Sequence, residues 1–253
     1  LNNARLQLLS KNKMLPKRIS DFYVVGSGEY SVGHFKMNLK NFCFNAKQPN
    51  LQIKNLHFRL EQQNENFQLS DFILQTPKNK LTAHAKIDIS FSETSTLTFK
   101  TEPLFLDEFS SFLPSGYDIK IHPEIQLSTV LKEQNLQLAL KLSDRAETLH
   151  ISVFSPQIGT ILQKNKLADD AAFIVKAEFD QIQLNNWIKM NAPYFCINGQ
   201  MLIKSKGLSL DTLAASVQGN FKNLKIDEQI VDQLTFNFDY KSKNLKGELL
   251  GNG

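Results

Sequence analysis

The chain has 253 residues, 42% of them apolar and 21% charged, with a net charge of +4. That length can bury a large core as one domain or two, and that balance excludes a disordered chain. The 29 Lys and Arg residues include no run of five, which excludes a nucleic-acid arm, and no stretch reaches the roughly 18–20 apolar residues of a membrane span.

Taken in chain order, the opening "NARLQLLSKNKML" reads as a short helix or the tail of one. The first residue is Leu, so a piece of a longer protein is expected. Lys11, Lys13, Lys17 and Arg18 form the longest basic cluster, read as solvated surface, with a contact for anionic headgroups or acidic partners as the alternative. In "VVGSGEYSVG" (24–33) the glycine spacing departs from the dinucleotide fingerprint, and strand-like "HFKMNL" follows where a helix should open. A hairpin turn is expected there.

From here on, period-two alternation dominates. Leu81, Ala83, Ala85, Ile87, Ile89 and Phe91 keep one parity. So do Ile119, Ile121, Ile125 and Leu127, then Leu136 to Leu142, Leu149 to Val153, Phe173 to Phe179, and Leu234 to Tyr240. The parity slips by one after Leu39, Ile53 and Leu69, as a β-bulge or sharp bend inside a long strand requires. Short polar turns such as "EQQNEN" (61–66), "KEQN" (132–135) and "SDRAE" (143–147) connect antiparallel neighbours. About 14 strands follow, and Phe at 19 residues favours them.

Helix is scarce. "LFLDEFSSFLP" (104–114) and "LNNWIKMNAP" (184–193) fit short amphipathic helices stopped near Pro, and "SPQIGTILQKN" (155–165) fits a third. Setting Leu106 on Leu184 also aligns Phe109 with Trp187 and Ile125 with Ile203, an internal repeat near 104–127 and 182–205. Fourteen strands at about 4.8 Å make a sheet of roughly 65 Å, whereas three helices of about ten residues run only about 15 Å apiece. They cannot roof one apolar face of that length. A second sheet, curling of the sheet, or an open face filled by something else remains.

The residues of the C-terminal third, "INGQMLIKSKGLSLDTLAASVQGNFKNLKID" (197–227) with "LTFNFDYKSKNLKGEL" (234–249), resemble the AsmA-like superfamily of bacterial envelope proteins, including the TamB type. The units "FQLSDFILQTPKNKLTAHAKIDIS" (67–90) and "AEFDQIQLNNWIK" (177–189) are similar to that family's strand-turn-strand and strand-helix pieces, so the likeness spans about 67–253. It implies a mainly β fold: an elongated, curled antiparallel sheet forming a U-shaped groove, with a few short helices. Residues 51–253 would be repeated groove units, after N-terminal strands and a helix in 1–50 that the likeness does not place. It further implies a periplasmic protein anchored in the inner membrane of Gram-negative bacteria, engaged in lipid transport or outer-membrane assembly.

The expected partners are phospholipid or another acyl-chain lipid and outer-membrane assembly proteins, without nucleic acid. The residues expected to line the groove are Ile87, Ile89, Phe91, Ile125, Leu127, Leu138, Leu140, Phe173, Val175, Phe179, Ile203, Phe236 and Phe238. Alternatives are a scaffold offering strand edges to outer-membrane proteins, and a structural β-sandwich or adhesin with a dry core.

Catalysis has little to stand on. His34, His57, His84, His122 and His150 are dispersed, without an HxH or HExxH pair, and Asp169 with Asp170 reads as a turn. No nucleophile elbow or phosphate loop occurs, so neither an enzyme nor a cofactor or metal is expected. Cys43 and Cys196 read as buried free thiols, and Trp187 as packing its short helix.

Overall fold

Residues 4–7, 18–47, 50–90, 93–109, 121–156, 171–187, 194–207, 213–241 and 244–252 are described by a computed structural model. It is mainly β, as the alternation requires: fifteen antiparallel strands whose order in the sheet is their order in the chain. The order has two ends, so the meander is open and not a closed barrel. The chain divides into two compact units, Leu1–Ser90 with Thr96–Ile125, and Phe91–Ser95 with Gln126–Gly253. Strands from residues 18–47 therefore lie in the same unit as those that follow 50.

The first unit holds β1 (Ala4–Gln7), β2 (Arg18–Ser31), β3 (His34–Lys47), β4 (Leu51–Gln63), β5 (Asn66–Gln75), β6 (Lys80–Asp88) and most of β7 (Ser95–Thr101). The segment Ala4–Gln7, expected in a helix, is a strand paired with β2. A two-residue turn at Val32 and Gly33 joins β2 to β3, with Gly33 at φ 76°, the left-handed region a side chain disfavours. The parity slips after Leu39 and Leu69 are bulges in the ladders. At the second of these Asp71 takes φ 54°, which Asp tolerates better than most residues. The bulge keeps Leu69 and Phe72 on one face although they stand three apart.

The second unit runs from β8 (Glu124–Lys132), whose first two residues fall in the first unit, through β9 (Asn135–Asp144), β10 (Glu147–Ser155), β11 (Ala172–Gln183), β12 (Phe195–Lys206), β13 (Ala214–Ile226) and β14 (Gln229–Lys241) to β15 (Asn244–Asn252). Glu133 and Gln134 both have positive φ, the mirror-image turn whose twist suits a two-residue hairpin.

Helix is scarce among the described residues. Of 104–114 only Leu106–Phe109 is helical, as a 3-10 turn, and of 184–193 only Leu184–Trp187, the single-turn α1; residues 110–114 and 188–193 lie outside the described residues. The two turns start 78 residues apart, at the two aligned leucines. The helix expected at 155–165 begins on Ser155, which is the last residue of a strand, Glu147–Ser155; its residues 157–165 lie outside the described ones, as do Lys11, Lys13, Lys17, Asp169, Asp170 and Phe91.

Full burial is rare among the described residues. The buried apolar residues are Ala46, Ile53, Ala85, Ile121, Ala171, Ala177, Ile182 and Leu224, half of them alanines. Among the described residues every Phe is only partly buried. The two thiols, Cys43 and Cys196, are free and likewise partly buried, with burial pushing the Cys196 thiol up.

Candidate functional site

Register turns the alternation into continuous cross-strand rows. In the first unit Gly28, Met37, Leu60, Leu69, Ala85 and Leu97 stand opposite one another from β2 to β7. The neighbouring row on the other face is Glu29, Lys36, Glu61, Gln68, Lys86 and Thr96, so one face is apolar and the other wet. Lys36 and Glu61 are an ion pair at 3.6 Å on that wet face.

The apolar face of the first unit encloses a cleft of about 630 Å³. Its walls are that row from Met37 to Leu97, joined by Phe58 and Phe72, whose rings stack 6.4 Å apart, and by Phe67, Ile87 and Ile89. All ten lining residues are apolar. Ile87 and Ile89 remain 46% and 55% exposed, so the cleft opens to solvent at their side.

In the second unit three adjacent rows of seven positions cross β9 to β15. The middle row is Leu140, Ile151, Ala177, Met201, Gly219, Phe236 and Leu249. Leu138, Val153, Val175, Ile203, Val217, Phe238 and Gly247 flank it on one side. Leu142, Leu149, Phe179, Gly199, Phe221, Leu234 and Gly251 flank it on the other. None of these positions carries a polar side chain.

Glycine and phenylalanine alternate across this face by direct opposition: Gly199 with Phe221, Gly219 with Phe236, and Gly247 with Phe238. A Cβ on Gly219 or Gly247 would collide with the opposing ring, and one on Gly199 would lie 2.8 Å from the Phe221 ring. The rings therefore lie over backbone that no side chain covers. They form a chain of contacts, Phe179 to Phe221 at 5.9 Å, Phe221 to Phe236 at 5.8 Å and Phe236 to Phe238 at 5.6 Å between centroids.

The expected lining residues distribute as follows. Ile87 and Ile89 lie on the cleft of the first unit. Leu138, Val175, Ile203 and Phe238 share one row of the second, with Leu140 and Phe236 in the next and Phe179 in the third. Phe173 keeps the parity of Val175 on the same face and packs on Ala171 with Leu131 and Leu136. Ile125 and Leu127 are half-buried on β8, and the Ile125 N–H donates to Thr101 Oγ1 at 2.9 Å. Alternation alone did not single out Met37, Phe58, Leu60, Phe67, Leu69, Phe72 or Phe221. For all but Phe221 the parity slips were the signal, because the bulges return the next apolar residue to the same face.

Carboxylates clamp the two helical turns at the strand ends. Glu108, in the 3-10 turn, accepts from Thr76 Oγ1 and, at 2.5 Å, from Asn79 Nδ2, while Asn79 Oδ1 accepts from the Phe105 N–H at 2.6 Å. Thr76 and Asn79 are almost wholly buried. In the second unit Glu147 accepts from Gln183 N at 3.0 Å, Asn186 Nδ2 at 2.7 Å and Trp187 Nε1 at 2.6 Å. Trp187 is thus an anchor for α1 through its N–H. Among the described residues no three His, Cys, Asp or Glu side chains gather into a metal site.

An open antiparallel meander with a half-exposed apolar face in each unit is the class that fold and site define. No family model, curated protein or solved structure matches the chain.

Proposed function

We propose that the chain is a segment of an AsmA- or TamB-like periplasmic protein of the cell envelope, anchored in the inner membrane, whose apolar β-face binds lipid acyl chains during lipid transport or outer-membrane assembly. The observation that carries this reading is the cleft of about 630 Å³ lined by ten apolar residues and no charge. That volume falls within the roughly 300–1,000 Å³ of small-molecule sites, but the lining lacks the fixed polar groups that orient a drug-like ligand. A hydrocarbon tail needs none.

Each methylene moved from water to such a wall gains about 0.8 kcal/mol, so a 16-carbon chain gains at most roughly 13. The gain is spread evenly along the tail, and the second unit has its own rows of Leu, Ile and Val with the same chemistry. A tail can then shift along a face without losing any single dominant contact, which suits a conduit better than a storage site.

Native mass spectrometry on the chain isolated from a Gram-negative host tests the idea. Bound phospholipid or fatty acid is the expected result. A chain that emerges bare, and stays bare after incubation with palmitate, overturns it.

A further inference from the structure

The cleft of the first unit limits how much hydrocarbon it can hold. A dry cavity of about 150 Å³ lined by Leu, Ile and Phe takes up benzene, so each of the six packed carbons needs about 25 Å³. On that scale a 16-carbon tail fills about 400 Å³ and two such tails about 800 Å³. The cleft, at about 630 Å³, lies between the two. Its walls stand on consecutive strands of one ladder, so strand pairing fixes their spacing.

The cleft also has a direction. One step beyond the row from Met37 to Leu97, towards the turn that joins β4 to β5, the same face carries Phe35, Gln62, Phe67 and Ile87. Gln62 brings a side-chain amide to this end and donates from Nε2 to the Asn64 carbonyl at 3.1 Å. The Ile89 N–H donates to the Glu65 carbonyl at 3.0 Å, which sets the exposed Ile89 beside the same turn. Polar groups and solvent therefore meet the cleft here. On the other side of the row stand Phe58 and Phe72, stacked and half-buried.

We propose, resting on the acyl-chain reading of this cleft, that it is a single-tail site for a fatty acid or a lysophospholipid. The tail runs past Ile89 and Ile87 towards Phe58 and Phe72, and the head stays in water at the Gln62 end. A diacyl phospholipid seated here would leave its second tail outside, at about a fourfold loss of affinity for each methylene exposed.

Native mass spectrometry tests the limit by comparing the chain with Ile87→Glu, so that an adduct missing from the variant is one seated in the cleft. The probes are palmitate, palmitoyl lysophosphatidylcholine and vesicles of dipalmitoyl phosphatidylcholine. The wild-type chain should carry one molecule more of a single-tail probe than the variant does, and the probe that gives this difference identifies the head. Diacyl lipid should be carried equally by both chains. A diacyl adduct or a second palmitate that Ile87→Glu removes overturns the single-tail limit and leaves acyl binding standing. Loss of no adduct at all overturns the acyl reading of the cleft, and the limit with it. Ile89→Glu, at the position that is 55% exposed, repeats the comparison if Ile87→Glu does not fold.

Discussion

Gly219 is buried directly opposite Phe236, and a methyl group added to it would collide with that ring. Gly219→Ala should therefore cost about 1–3 kcal/mol by overpacking, read as a lowered thermal midpoint. Combined with Phe236→Ala, which removes the obstructing ring, the same change should cost much less than its separate effect, a coupling that a double-mutant cycle measures. Independent effects that merely add would show that the ring does not rest on the glycine. On the opposite face Lys176 donates to Glu178 at 2.5 Å and His150 lies 3.5 Å from it, and these contacts hold the Glu178 carboxyl below its usual range. A carboxyl whose pKa is lower folded than unfolded adds stability above the unfolded value, and that increment is lost as pH falls through the folded one. Because the cluster is half exposed, the increment is small. Glu178→Gln should remove that small increment at neutral pH and cost nothing once the pH lies below the folded value, so the acid limb of the stability profile flattens; an unchanged acid limb would count against the contact.

A four-residue helix cannot hold itself, since nucleation costs more than one turn returns, so α1 depends on what grips it. Glu147 provides three hydrogen bonds to that turn and the strand end before it. Glu147→Ala leaves those donors without their acceptor and should destabilise the second unit by about 2–3 kcal/mol. Trp187 is the chain's single tryptophan, so its emission reports on this turn directly and should shift to the red. Emission that stays put would mean that the ring is seated by packing alone. Strand existence was legible from period-two alternation, and the bulges from slips such as Leu69 to Phe72, because a pleated strand has no other way to keep both residues on one face. Of the helix expected over "LNNWIKMNAP", Leu184–Trp187 is helical, and the residues after Trp187 lie outside the described ones. The glycine–phenylalanine oppositions were not legible, since they need cross-strand register. Gly199 meets Phe221 only because a register shift separates it from the Cys196 pair, and no local pattern announces that shift.

At the scale of the whole molecule, stability comes from neighbours in the chain. Each strand in the order lies between those before and after it, and the fully buried apolar set is short and rich in alanine. An assembly of this kind behaves nearly as a sum of adjacent interfaces. The face of each unit keeps apolar area in water that a conventional core would remove, and the parity of the rows made that face legible from Ile87 and Ile89 in one unit and Val175, Ile203 and Phe238 in the other. What parity could not convey was the cleft, whose concavity depends on twist and bulges acting together on five strands. A ligand that binds only the folded chain raises its midpoint in proportion to the logarithm of its concentration over its dissociation constant. Palmitate below its micelle threshold should therefore raise the thermal midpoint of the chain by several degrees, saturably. Ile87→Glu places a charge on the exposed wall of the cleft, where the side chain is 46% accessible and folding does not require its burial. That variant should keep the midpoint of the ligand-free chain within a degree or two while losing most of the palmitate-induced rise. A variant that unfolds would show instead that Ile87 belongs to a sealed core, and a full palmitate response in a folded variant would place the hydrocarbon somewhere other than this cleft.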